Sequence, residues 1–202
     1  NVAVGNEALY SQTTGGDNIA VGRKAMRSAV GSGTRNVAIG VEALMAATTG
    51  YDNVGIGYQS LTSVTSGVEN IGIGRGALYS LDAGTNNIAI GKGSLDATTS
   101  GSSNVAIGTN ALTDNTTGAY NIAFGVETLN KNTVGGNNIG IGYQSLHETT
   151  SGTHNIALGS EALYTNTTGI GNIALGNLTL KFNTTGVGNV ALGGSSLAAN
   201  TT

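Results

Sequence analysis

A five-residue segment, Asn-[Ile/Val]-[Ala/Gly]-[Ile/Val/Leu/Phe]-Gly, recurs from one end of the chain to the other. It begins at Asn1, Asn18, Asn36, Asn53, Asn70, Asn87, Asn104, Asn121, Asn138, Asn155, Asn172 and Asn189. Every spacing is 17 residues except one of 18, between Asn18 and Asn36. Self-similarity on so short a period means that one small structural unit is stacked on copies of itself. The sequence therefore predicts an all-β parallel β-solenoid of twelve coils of about 17 residues, forming one repeat domain over residues 1–202. Asn1 opens a repeat in phase and Thr202 falls part-way through a coil, so the chain is expected to be a fragment of a longer array.

Counting positions from each asparagine gives every column a physical reading. Positions 2 and 4 (Ile19 and Val21, Ile88 and Ile90, Ile156 and Leu158) alternate with small residues, the period of a strand with one face buried. Position 5 is glycine in all twelve coils, which fits a turn that closes the strand. Position 9 is leucine, or Met26, and is expected to fill the same core from the returning segment. A second glycine near position 15 (Gly50, Gly67, Gly118, Gly169) marks the other turn. Helices do not fit a chain with 34 glycines and so many β-branched residues.

Position 3 is alanine or glycine in every coil. It lies on the strand face opposite positions 2 and 4, and a solvated face would drift through threonine, lysine and serine. The expectation is that this face packs against another chain. Ala20, Ala38, Gly55, Gly72, Ala89, Ala106, Ala123, Gly140, Ala157 and Ala174 are the predicted inter-chain residues. Three aliphatics per coil fall short of offsetting the entropy of ordering 17 residues, which also points to an oligomer.

Composition removes several function classes. Hydrophobic residues make up 39% of the chain and recur on a strict period, so it is not a disordered glycine-rich segment. The net charge of −3 gives no footprint for nucleic acid; the basic cluster Arg23, Lys24, Arg27, Arg35 is local and has no aromatic platform. No apolar run approaches the ~18 residues of a membrane helix, so membrane insertion is not expected, and no signal peptide is visible. The absence of cysteine excludes disulfides and thiolate metal sites.

The run Asn36–Ala43 (Asn-Val-Ala-Ile-Gly-Val-Glu-Ala), with Asn87–Ser94 and Asn104–Ala111, resembles the head repeat of YadA-like trimeric autotransporter adhesins. The tail Ala-Leu-x-x-Asn-Thr-Thr-Gly at Ala111–Gly118 and Ala162–Gly169 is similar to repeats of phage and prophage tail-fibre proteins. The resemblance covers the whole chain. It implies a left-handed β-roll, three chains about one axis, and an extracellular fibre on a cell or virion surface. The adhesin repeat is shorter than 17 residues, and the extra residues are expected to lengthen the outer turn.

Other constellations read as structural. The asparagine column is expected to form a stacked amide ladder. Paired threonines suggest an ice-binding array, but adjacent threonines point to opposite faces. Hexapeptide acyltransferase repeats need an aliphatic every six residues. Position 10 instead holds Tyr10, Arg27, Asp96, Asn130, His147 and Lys181. His147 and His154 have no metal pattern around them, and the position-7 carboxylates Glu7, Glu42, Glu127 and Glu161 never fall in consecutive coils. Asn-x-Thr sequons at Asn115, Asn166, Asn177, Asn183 and Asn200 follow from a repeat rich in both residues. Tyr58-Gln59-Ser60-Leu61 recurs as Tyr143-Gln144-Ser145-Leu146, a sign of block duplication.

No catalytic residue, cofactor or metal is expected, and the chain reads as a non-enzyme. Exposed Tyr10, Tyr58, Tyr79, Tyr143 and Tyr164 are the candidate contacts for a host glycan or protein. The chain itself is the expected first partner, as a homotrimer that could also stack end to end. Three readings stand: a bacterial surface adhesin, a phage tail-fibre shaft, and a monomeric ice- or glycan-binding solenoid.

Overall fold

The computed structural model describes all residues, 1–202. Each coil contributes one three-residue strand: β1 (Val2–Val4), β2 (Ile19–Val21), β3 (Val37–Ile39), β4 (Val54–Ile56), β5 (Ile71–Ile73) and β6 (Ile88–Ile90). The series continues with β7 (Val105–Ile107), β8 (Ile122–Phe124), β9 (Ile139–Ile141), β10 (Ile156–Leu158), β11 (Ile173–Leu175) and β12 (Val190–Leu192). All pair in parallel in sequence order, forming one 12-stranded sheet. The register places each residue on its repeat partner, as in Ala89 on Ala106. The 18-residue coil keeps this register, with Ala20 on Ala38. Its extra residue sits in the outer turn between Ala29 and Gly33, where Gly31 takes φ 142°.

The turns are hydrogen-bonded as thoroughly as the strands. Only 22 of the 135 backbone hydrogen bonds lie within the strands. The rest include ladders that run from coil to coil: the Leu9 amide donates to the Ala25 carbonyl at 3.0 Å and the Ser11 amide to the Arg27 carbonyl at 3.0 Å. Close stacking explains the invariant position-5 glycine. A Cβ on Gly74 (φ 128°) would lie 2.6 Å from the carbonyl oxygen of Gly91 in the next coil.

Three columns adopt a left-handed backbone that their residue types did not announce: positions 7 and 9, and the residue before each asparagine, as at Glu69 (φ 57°) and Tyr120 (φ 61°). Every position-9 residue has positive φ, from 52° at Leu9 to 49° at Leu197. Position 7 does the same, as at Glu42 (φ 60°) and Gln59 (φ 54°). Such a conformation costs an L-residue roughly 1–2 kcal/mol. It persists at position 9 because it turns the leucine inward, where Leu44 through Leu180 are fully buried.

The sidedness of the strand reverses the sequence expectation. Ala20, Ala38, Ala89, Ala106, Ala123, Ala157 and Ala174 are 0% exposed in a single chain, and Gly55, Gly72 and Gly140 are also buried. They point into the chain's own interior rather than at a neighbouring chain. Positions 2 and 4 point outward. The physical reason is the thinness of the coil: the position-9 leucine column and the small position-8 residues already fill it. A Cβ on Gly140 would meet Thr128 Cγ2 at 2.6 Å and Ser145 Oγ at 3.1 Å. Only a methyl group or a hydrogen fits at position 3, so the larger aliphatics are left outside.

Candidate functional site

The consequence is an apolar ribbon, two side chains wide, along the outer face of the sheet. Ile39 (40% exposed), Ile90 (37%), Phe124 (54%) and Ile141 (41%) belong to it. Each strand adds two such residues, and successive strands lie ~4.8 Å apart, so the ribbon runs roughly 55 Å. At roughly 50 Å² of open side chain apiece, it exceeds the ~300–600 Å² of the largest apolar patch on a typical monomer.

The interior behind the ribbon is closed by amide ladders. The position-1 asparagines from Asn18 to Asn172 are buried; Asn53 Nδ2 donates to Gly67 O at 2.8 Å and to Asn36 Oδ1 at 3.1 Å. The Asn53 amide donates to the same Asn36 oxygen at 3.0 Å. The expected ladder is therefore present, satisfying turn and inter-coil groups together. A second ladder was not read from the sequence. At position 12, Asn132 Nδ2 donates to Asn115 Oδ1 at 2.9 Å, and Asn183 Nδ2 to Asn166 Oδ1 at 2.9 Å. Burial removes Asn115, Asn166 and Asn183 as glycosylation acceptors in the folded chain, whereas Asn177 is exposed.

Most position-13 threonines, Thr48 and Thr99 through Thr184 among them, bond to the next coil. Thr116 Oγ1 donates to Thr133 O at 3.0 Å and Thr133 Oγ1 to Thr150 O at 3.0 Å. Only the second column, with Thr117, Thr168 and Thr185, faces outward freely.

The charged side chains mostly pair across coils. Arg35 holds Asp52 through Nε–Oδ1 at 2.7 Å and Nη2–Oδ2 at 2.9 Å. This hydrogen bond pulls the Asp52 carboxyl below its ordinary range and raises the Arg35 guanidinium. Gln59 Nε2 donates to Glu42 at 2.9 Å, and Gln144 Nε2 to Glu127 at 2.6 Å, so the repeated block carries its amide–carboxylate pair with it. Lys181 Nζ donates to Glu161 at 2.5 Å. His147 lies 2.7 Å from Glu148 and stacks on Tyr164, with ring centroids 5.0 Å apart and a 4° interplanar angle. Burial, then Glu148 and Glu161, raise the Tyr164 phenol above its usual range. His154 is exposed in the turn at position 17.

The five candidate tyrosines do not converge. Tyr10 (73% exposed) stands at one end, while Tyr58 and Tyr143 occupy position 6 five coils apart. Tyr58 lies under the Arg75 guanidinium, 5.8 Å from the ring centroid. Tyr164 is engaged by His147. Tyr79 alone borders a concavity, a cavity of about 320 Å³ lined by Gln59, Arg75, Gly76, Tyr79, Lys92, Gly93, Asp96 and Asn110. Tyr51 and Tyr120, in the outer turn, are also exposed and were not among the candidates.

Comparison with protein-family models, with curated proteins and with solved structures finds no match.

Proposed function

We propose that this chain is a stiff, self-associating rod, the shaft or head segment of an extracellular fibre of the bacterial surface-adhesin type. The observation that carries the reading is the outward ribbon. The interior of each coil is already filled, so the large aliphatics of positions 2 and 4 are covered only by their stacked neighbours and keep an outward apolar surface. A second copy of the same ribbon is their natural complement, because it has the same length, pitch and apolar character. Three copies about one axis follow from the likeness of Asn36–Ala43 to adhesin head repeats. Such a fibre would extend and display; its polar faces, not the ribbon, would meet partners. The Asn-Thr-Thr-Gly tails at Asn115–Gly118 and Asn166–Gly169 favour a tail-fibre shaft as the second reading, with the same architecture.

Light scattering tests the association. The expected mass is three times the 20.0 kDa chain. Ile90→Lys with Ile141→Lys, which place charges on the ribbon, should dissociate the assembly while leaving the circular-dichroism spectrum β-rich. A wild-type mass of one chain at micromolar concentration would refute self-association.

A further inference from the structure

We propose that the cavity between coils 4 and 7 is a binding site for a carboxylated sugar, such as a uronic acid residue of a polysaccharide. The cavity exists because two adjacent coils break the position-7 column. Ten coils carry a side chain there, but coils 5 and 6 have Gly76 and Gly93. Their φ of 64° matches that of the column's other members, such as Gln59 at 54°, so the backbone does not require glycine. A Cβ at Gly76 would meet nothing within 4 Å. The missing side chains leave the concavity open.

Elsewhere in these columns several polar groups pair with one another, as in Glu42–Gln59, Glu127–Gln144 and Glu161–Lys181, and the side chains of Arg23 and Lys24, which have no such partner, border no concavity. Around the cavity, Arg75 and Lys92 make no salt bridge, and the side chains of Tyr79, Asp96 and Asn110 make no hydrogen bond within the chain. These two cations, one coil apart (~4.8 Å) and neither held by a carboxylate, can share one through charge-assisted hydrogen bonds, Arg75 from its seat over the Tyr58 ring. Tyr79 offers a ring for the apolar face of a pyranose. Asp96 and Asn110 can bond ring hydroxyls. Asp96 also disfavours a phosphate dianion, whose second charge it would repel, relative to a monocarboxylate. A site of about 320 Å³ stands at the small end of ligand pockets. Single-site affinity is therefore expected in the millimolar range.

This goes beyond the rod reading and does not depend on it, since the cavity and the ribbon use different position columns. The test titrates the chain with a glucuronic acid tetramer and, in parallel, with the matching glucose tetramer, read by NMR shift perturbation. The acidic tetramer should bind with shifts centred on coils 4 to 7, and the neutral one roughly tenfold more weakly, as expected for loss of a charge-assisted hydrogen bond. Gly76→Gln, which extends the side chain of Gln59 in the preceding coil into the concavity, should abolish binding. Lys92→Gln should bring the two ligands' affinities together, and serves as the arm of the test if the first variant does not fold. No binding of the acidic tetramer at millimolar concentration, equal binding of both, or binding that survives the variants would overturn the proposal.

Discussion

Replacing Thr149 by asparagine should stabilise the fold, and the reason lies in a gap in the second amide ladder. Position 12 holds Asn115, Asn132, Thr149, Asn166, Asn183 and Asn200 in successive coils. Where asparagines adjoin, each Nδ2 donates to the preceding Oδ1, at 2.9 Å for Asn132 to Asn115 and 3.2 Å for Asn200 to Asn183. At Thr149 the chain of amides is interrupted. Asn132 Oδ1 and Thr149 Oγ1 are both buried without a partner. Asn166 Nδ2 has only a 3.4 Å bond to Gly169 O. An asparagine would donate to Asn132 Oδ1 and accept from Asn166 Nδ2. Two new bonds at ~0.5–1.5 kcal/mol each, set against the loss of one buried methyl at ~0.8 kcal/mol, leave about 1 kcal/mol. Relief of the two orphaned atoms adds to this, for a total of about 1–2 kcal/mol. Threonine and asparagine have nearly equal volumes, so little repacking is needed. Urea unfolding followed by circular dichroism should show a higher midpoint at unchanged slope. Thr98→Asn provides the internal control. Its neighbours are Leu81 and Asn115, so only one ladder bond can form and the gain should be smaller. Equal or lower stability of the Thr149 variant would refute the ladder energetics.

Further outcomes follow from the same packing. Gly140→Ala should destabilise by about 1–3 kcal/mol through overpacking against Thr128, and Thr128→Ser, which removes the clashing methyl, should restore most of it in the double variant. The Asp52 carboxyl titrates below its unfolded value, so its pairing with Arg35 stabilises the fold at neutral pH and is lost as pH falls through the lowered folded value. The stability difference between wild type and Asp52→Asn should therefore shrink in acid, and shrink also with added salt because the pair is exposed. A difference that persists at low pH would show that the substitution acts through packing instead.

Much of the fold is legible in the sequence because a period shared by twelve coils averages out local ambiguity. The spacing of the Asn column fixes coil length and register, and its buried ladder follows from stacking identical amides. Sidedness was not legible. Alternation at positions 2, 3 and 4 states that two faces differ, but which one is inside depends on the thickness of the coil. The usual preference for burying isoleucine over alanine pointed the wrong way, because the leucine of position 9 had already taken the available space. The left-handed turns at Leu44 and Leu61 gave no signal either, since leucine rarely adopts that conformation and burial together with coil-to-coil hydrogen bonds, such as the Leu44 amide to the Ser60 carbonyl at 3.0 Å, holds it there. For the candidate site, Tyr79 was noticed as an exposed aromatic. The cavity beside it depends on Gly76 and Gly93 stacking in adjacent coils, a signal visible only when position 7 is read as a column.

Two consecutive residues have opposite orientations: Ala89 lies inside the coil, and Ile90 lies on the outward ribbon that a second copy covers in the proposed assembly. The chain has no cysteine of its own, so single Ala89→Cys and Ile90→Cys variants report each face without background. Their reaction with a thiol-specific probe should be measured in the intact assembly and again after dilution or ribbon charge substitutions have separated the chains. The thiol at position 89 should stay protected in both states, and the thiol at position 90 should be protected in the assembly and reactive in the separated chain. A reactive thiol at 89 in the folded, separated chain, or one at 90 equally reactive in both states, would contradict the account.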